Sequence, residues 1–397
     1  MQFALLGDDP RIVPFLDALA LRKETLLTHA VAAAATLPVS ARNVIRCAGW
    51  EELLGVPTLD AVIVAGSDPW LLDGARKFAE AGKAVLVLGD VRQTSTFVYQ
   101  LTLVYAEREL VLFPILLFRS HPQVVALKAA IEAGEVGTVQ LLRLERRLGV
   151  DAIPDKNAVN MAGVLLEDVD LLRFLGGEYN QIAASRSGDP LVGVAGSNIT
   201  LQGEDLPQAL WSASMSPDIP TGAWKLVVAG DKGTATLEGG ADPLECRLTI
   251  LKVQPAEAGI PPLVISPAEG DARRAASAVL DTFLQVAAGE TRSPTWTDLS
   301  RDFELVEAVD RSVARRRTVD VYFEVPSERS AFKTQMTALG CSLLALTFFA
   351  VILYLIVEDT VALPALAKRV ITILLFVPIG LFLVMQLLVF LTKPAKQ

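Results

Sequence analysis

The chain reads as an α/β protein in three parts. The first is a doubly wound parallel sheet, the second an α+β region with an open, mostly antiparallel sheet, and the third a pair of transmembrane helices. Three observations predict this. Residues 1–120 alternate short, continuously apolar runs with amphipathic stretches, residues 121–325 cluster strand-like runs beside helices, and two long uncharged stretches follow residue 333.

In the first part the strands fall at Phe3–Leu6, Thr25–Thr28, Asp60–Ala65, Ala84–Leu88 and Val111–Phe118. Helices are expected at Arg11–Arg22 and Trp70–Ala81, the second stopped by Gly82, and the alternation runs on past residue 120 through a helix at Pro122–Ala133 stopped by Gly134. Strands apolar on both faces and separated by helices build a parallel sheet covered on both sides. From Val139 the pattern changes to alternating faces over Val139–Arg147. A helix near Val159–Leu175 precedes strands at Gln181–Ser185, Gly193–Gln202, Ala209–Met215, Trp224–Ala229, Thr234–Glu238 and Arg247–Lys252. Two helices, Arg274–Ala288 and Asp298–Arg315, close this region, and the Pro- and Gly-rich stretch 254–270 reads as a loop.

Residues 326–334 form a linker, and spans are expected over 335–357 and 370–392. Each uncharged stretch would reach about 35 Å as a helix, enough to cross a bilayer. Pro378 and Gly380 would kink the second. Arg329, Lys333, Lys393 and Lys396 flank the outer ends of the pair, while Lys368 and Arg369 in the loop are offset by Glu358 and Asp359. The positive-inside rule then puts the soluble part in the cytoplasm of a two-span, multi-pass membrane protein. The start, Met1-Gln-Phe-Ala-Leu-Leu-Gly-Asp-Asp-Pro10, lacks the basic opening and long apolar core of a signal peptide, in keeping with that placement.

Composition narrows the function. A net charge of −9 argues against a nucleic-acid partner. Three scattered cysteines, Cys47, Cys246 and Cys341, make no disulfide framework, and two histidines leave little for a metal site, so none is expected. Trp211, Trp224 and Trp296 read as packing anchors.

The order of motifs resembles the Gfo/Idh/MocA oxidoreductases, the family of glucose–fructose oxidoreductase and inositol dehydrogenase. Asp60–Ala65 and Ala79–Val87 are similar to that family's fourth and fifth strands. Phe118-Arg-Ser-His-Pro122 with Ile131–Gly137 resembles its arginine–proline turn and the helix leaving the first domain. Asp170–Gly176 looks like the helix behind its catalytic pocket, and Val228–Ala235 like its sheet turn. The closing helices and strand find counterparts from Phe283 to Val319. The likeness covers about residues 1–325 and implies a Rossmann-like first domain (1–120) and an α+β substrate and oligomerisation domain (121–325). It also implies NAD or NADP as cofactor, a sugar-like or polyol substrate and a homo-oligomer.

The chemistry that the resemblance implies is largely missing. The family holds pyrophosphate with G-x-G-x-x-G after the first strand, the glycines allowing close approach of backbone N–H groups. Here the stretch is Gly7-Asp8-Asp9-Pro10-Arg11-Ile12, with only the first glycine. Asp9 would crowd the phosphates and, with Asp8, repel them, at about 4 kcal/mol for a unit pair 4 Å apart near a surface. The favoured alternative is that Asp8 or Asp9 caps the first helix with Pro10 in its first turn. Thr28-His29-Ala-Val31 stands where an acid would bind ribose. Positions implied for a dinucleotide are Gly7, Asp8, Asp9, Ala65 and Arg119. The family's Glu-Lys-Pro aligns with Leu88, Gly89 and Asp90, and its acid/base histidine with Glu167. Replacement catalytic groups would be Glu167, Asp170 and Lys156, the last on a loop facing the cleft. Asp168 and His121 stand nearby, the histidine read as a turn or packing residue.

Two readings compete, with a third behind them. One is a fold with weak or lost NAD(P) redox activity, or no cofactor at all, that binds a small molecule or a protein beside the membrane. The other is an active oxidoreductase working through replacement residues. The third is a structural subunit that oligomerises through the open sheet face.

Overall fold

Six apolar runs build the first sheet: β1 Gln2–Gly7, β2 Leu26–Val31, β3 Ile45–Cys47, β4 Ala61–Ala65, β5 Ala84–Leu88 and β6 Leu112–Ile115. They lie in the order β3-β2-β1-β4-β5-β6 and every pair is parallel. The computed structural model describes residues 1–322 except 32–36, 38–43, 109–110, 150–153, 190–192, 217–221, 241–243, 253–262, 267 and 269, and beyond them only 342, 345 and 347–352. The chain divides into two units, Met1–Phe323 and Glu324–Gln397.

Period-2 side-chain alternation sends successive residues of each strand into different cores. Phe3 and Leu5 of β1, with Ala61 and Ile63 of β4 and Leu86 of β5, join one cluster, completed by Phe15 and Leu16 of α1 (Val13–Ala20). Ala4, Leu6, Val62, Val64, Val85 and Val87 join the other, beneath α3 (Pro69–Glu80). Both faces are therefore buried, which is why these strands carry no polar alternation. The short α2 (Glu51–Leu54) and the longer α4 (Thr94–Arg108) complete this layer.

α5 (Pro122–Glu132) leads into the second sheet. Its strands are β7 Val139–Gly149, β8 Gln181–Asp189, β9 Gly193–Gln202, β10 Gln208–Ser216, β11 Ala223–Gly230, β12 Gly233–Gly239, β13 Cys246–Lys252, β14 Leu263–Ile265 and β15 Val319–Asp320. Among the described residues they order as β14-β13-β12-β11-β7-β10-β9-β8-β15, antiparallel except for the β7–β10 pair. The alternation expected in β7 holds: Leu142, Leu144, Arg146 and Leu148 are buried, and Arg143 and Arg147 face outward. α6 (Pro154–Gly176) and α8 (Trp296–Arg315) cover the inner face. α7 (Asp271–Ala287) returns to the first sheet, where Phe283 meets Phe3 and Phe113 edge-on at 5.8 and 5.7 Å.

A buried ionic network ties α6, α8 and the turn after β6. Arg119 binds Asp170 through Nε at 2.8 Å and Asp298 at 3.1 Å. Arg173 reaches Asp302 at 2.5 Å and Glu178 at 2.8 Å. The Asp302 carboxyl is fully buried, and its Oδ2 has no hydrogen-bond partner among the described residues. Burial and the nearby Asp170 push its pKa well above the carboxylate range, against the pull of Arg173 and Arg119.

The two transmembrane helices expected over 335–357 and 370–392 are not supported. Among the described residues no helix is long and apolar enough to cross a membrane. A span needs continuous helix, and in the first stretch the longest described run is 347–352; the second stretch lies outside the described residues. Low charge over twenty-odd residues permits such a helix without requiring it. The multi-pass membrane placement rested on those helices and falls with them.

The network yields a test. Asp302 in the fold keeps a proton that the unfolded chain releases, so its contribution to stability is lost as pH rises from the ordinary carboxylate range through the raised value. Asp302→Asn should flatten that pH dependence and shift neutral-pH stability by less than about 1.5 kcal/mol. Arg173→Ala should cost about 3–5 kcal/mol by stranding buried carboxylates. Urea unfolding at several pH values measures both.

Candidate functional site

In an open parallel sheet, ligands bind beyond the carboxyl ends of the strands, where the strand order reverses. Here that point lies between β1 and β4. Gly7 ends β1 at φ +100°, and a Cβ there would sit 2.2 Å from the Ala65 carbonyl oxygen. The tight turn therefore still demands its first glycine.

The turn that follows spends its own donors. Asp9 N–H donates to the Ala65 carbonyl at 3.0 Å and Ile12 N–H to the Asp9 carbonyl at 3.1 Å. Arg11 N–H donates to the Asp9 carboxylate at 3.0 Å, and Pro10 has no N–H. Asp9 thus caps the 3-10 turn Pro10–Ile12, as the sequence suggested. Asp8 is exposed beside it. Backbone N–H groups that would face a pyrophosphate are committed from Asp9 through Ile12.

The same holds at the next strand tips. The buried Gln93 amide donates to the Gly66 carbonyl at 2.8 Å and the Leu88 carbonyl at 3.0 Å, closing the ends of β4 and β5. Asp90 and Gln93 form a reciprocal cap on the 3-10 turn Val91–Gln93. Burial raises the Asp90 pKa, but its bonds to Arg92 and the charges of Arg92 and Arg11 outweigh this and hold it below the ordinary value.

Arg11 bridges these pieces. Its Nη2 donates to Asp9 at 2.7 Å and to the Gly89 carbonyl at 3.2 Å, and its Nη1 to Glu167 Oε1 at 2.8 Å. Asp90 lies 3.7 Å away. Burial disfavours the guanidinium, but the bond to Asp9 and the charges of Glu167, Asp9 and Asp90 prevail and raise its pKa. Gly89 and Glu167, the positions aligned with the family's lysine and histidine, thus meet at one arginine. The Glu167 carboxyl has a raised pKa, set first by burial and opposed by Arg11 and Arg146.

The other expected residues divide. Asp170 borders the cleft, but both its oxygens are held by Arg119, whose guanidinium also stands 5.3 Å from the Phe174 ring. Arg119 is therefore bound to carboxylates and has no free fork for a phosphate. Asp168 lies under the second sheet, bonded by Arg146 at 2.8 Å and Trp211 Nε1 at 2.7 Å. His121 is buried, its Nε2 donating to the Leu244 carbonyl at 2.7 Å and its Nδ1 accepting from Gln123 N–H, which makes it a packing and capping residue. Lys156 belongs to the first turn of α6 and not to a loop; its side chain lies outside the described residues. His29, where a ribose acid would stand, binds the Thr28 hydroxyl at 2.8 Å. Among the described residues no cluster could hold a metal ion. Arg11 and Gln93 were missed in the sequence: the distant partners of Arg11 leave no local mark, whereas the Asp90–Gln93 spacing of a capping box was a local signal that went unread.

A cavity of about 310 Å³ opens beside Arg11. Pro10, Pro14, Leu88, Ile115, Leu117 and Phe118 are among its walls, and Arg11, Glu167 and Asp170 are its charged groups. The volume is at the low end for small-molecule pockets, roughly 300–1,000 Å³. An NAD or NADP pyrophosphate does not fit these residues: the turn's donors are taken, carboxylates line the approach, and Arg11 crosses the crevice.

No family model matches the chain, and no curated protein matches it by sequence. Solved structures do. An apo levoglucosan dehydrogenase is similar at TM-score 0.68 and 16% identity, over 82% of this chain and 99% of that one. An oxidoreductase from Agrobacterium radiobacter, solved with NAD+, L-tartaric acid and magnesium, gives 0.66 and 18% over 81% and 98%. A myo-inositol 2-dehydrogenase from Lactobacillus plantarum gives 0.63 and 15% over 81% and 99%. Sheet order, the crossing of α6 over the second sheet and these likenesses agree that the chain has the fold of the Gfo/Idh/MocA oxidoreductases.

Proposed function

We propose that this chain uses an oxidoreductase fold to bind a small molecule in the inter-sheet cleft without a dinucleotide, its redox activity weak or lost. One observation carries the reading: Arg11, held by Asp9, Gly89 and Glu167, bridges the crevice that a nicotinamide cofactor needs. The committed N–H groups of Asp9–Ile12 and the Gln93 plug support it. Fold alone does not decide the matter, since one fold hosts many functions.

The second reading is an active NAD(P)-dependent oxidoreductase on a sugar or polyol. It rests on Glu167, which stands in the cleft with a raised pKa, as a general acid/base requires. The neighbouring structures solved as dehydrogenases, one of them with NADH, and as an oxidoreductase with NAD+ favour the same side by likeness.

Calorimetric titration of the full chain with NADH and NADPH separates the two. No heat of binding is expected up to millimolar cofactor; micromolar binding would overturn the first reading. Restoring Asp9→Gly alone should not rescue affinity, because Arg11 still crosses the site.

Arg11→Ala should lower stability at pH 7 by about 1–2 kcal/mol, a buried-pair loss discounted for partial exposure. It leaves Glu167, whose pKa burial already raises, without the cation that most opposes that rise, so its pKa in the fold climbs further above that in the unfolded chain. The folded form then binds more protons, so the deficit should shrink as pH falls from 7 towards 5. Urea midpoints at the two pH values give the answer.

A further inference from the structure

We infer that the cleft cavity takes a small apolar primary ammonium ion, an inference that rests on the reading that no dinucleotide occupies the site. The walls give the body of the ligand. Leu88, Ile115, Leu116, Leu117, Leu166 and Leu244 offer aliphatic surface, and the charged lining groups are confined to Arg11, Glu167 and Asp170. A polyol would bury several hydroxyls against these walls without partners, which is costly.

The charged end gives the head group. Asp170 is spent on Arg119, and the guanidinium of Arg11 is engaged through Nε and both Nη atoms. Glu167 gives Oε1 to Arg11, while its Oε2 accepts no hydrogen bond among the described residues. It is the acceptor left open on the cavity wall. Around it Asp9, Asp90 and Glu167 face Arg11 and Arg92, an excess of one negative charge before the exposed Asp8 is counted. A carboxylate or phosphate entering here meets like charge, whereas an ammonium donates to Oε2 and relieves the excess. The alkyl body and the charge complementarity select one class: an unbranched or aryl-alkyl primary amine in its protonated form.

The test titrates the full chain at pH 7.5 with three matched probes, n-hexylammonium, n-hexanol and n-hexanoate, and with NADH in parallel. Hexylammonium should bind at least about tenfold more tightly than hexanol, with hexanoate weakest. Glu167→Gln, which keeps an acceptor for Arg11, should erase that preference. Glu167→Asp should retain most of it, and melting curves for both variants establish that they are folded. Hexanoate binding as well as hexylammonium, a preference that survives Glu167→Gln, or no probe binding at all overturns the ammonium assignment and leaves the cofactor-free cleft standing. NADH binding overturns the cofactor-free reading itself.

Discussion

The mouth of this protein depends on finding enough positive charge for three carboxylates brought together by the fold. Asp9 arrives from the turn after β1, Asp90 from the tip of β5 and Glu167 from α6. Left alone they would repel across a partly desolvated cleft. Arg11 resolves this by reaching all three from one position, and in doing so it links the two sheets' territories. The turn after β1, the tip of β5 and α6 are thereby joined at one side chain. A group that neutralises acids at this point also stands where an anionic ligand would have needed room.

A second ionic cluster behaves differently because its centre, Arg173 with Asp302, is buried. Around Arg119, Arg173 and Arg301 the acids Asp170, Asp298, Asp302 and Glu178 leave a surplus of negative charge, and burial with the nearby Asp170 pushes the pKa of the innermost, Asp302, well up. At the cleft the surplus is met by Arg11, Arg92 and solvent; in the interior it favours the protonated form of Asp302. Exposure decides which remedy is available.

Much of the scaffold was legible in the sequence. Continuous apolar runs gave β1, β4 and β5, and alternation gave β7, because burial on two faces or one imposes those patterns directly. The cap by Asp9 was readable from Asp-Pro, and Gly89 and Glu167, singled out by the family resemblance, both meet Arg11. α4 was not foreseen: Phe97, Val98 and Leu101 are buried while Tyr99 and Leu103 are exposed, so its apolar residues trace no clean stripe. Arg11 escaped notice since its partners lie 78 and 156 residues away, and no short-range pattern reports such a contact. The membrane hairpin failed for the opposite reason, a strong local signal read without the continuous helix it needs.

Ile12 ties the turn after β1 to the core. It stands at the third glycine position of the phosphate-binding turn, and it is completely buried among Phe3, Leu5 and Phe15. Trimming it back to glycine would empty a core site, a change of the kind that costs about 2–5 kcal/mol even when the replacement is alanine. Surface charges such as Asp8 can be exchanged freely, but this position has been absorbed into the protein's foundations. The turn is thereby held in its present form by packing, and a glycine could be placed at this position only with a rebuilt hydrophobic core beneath it.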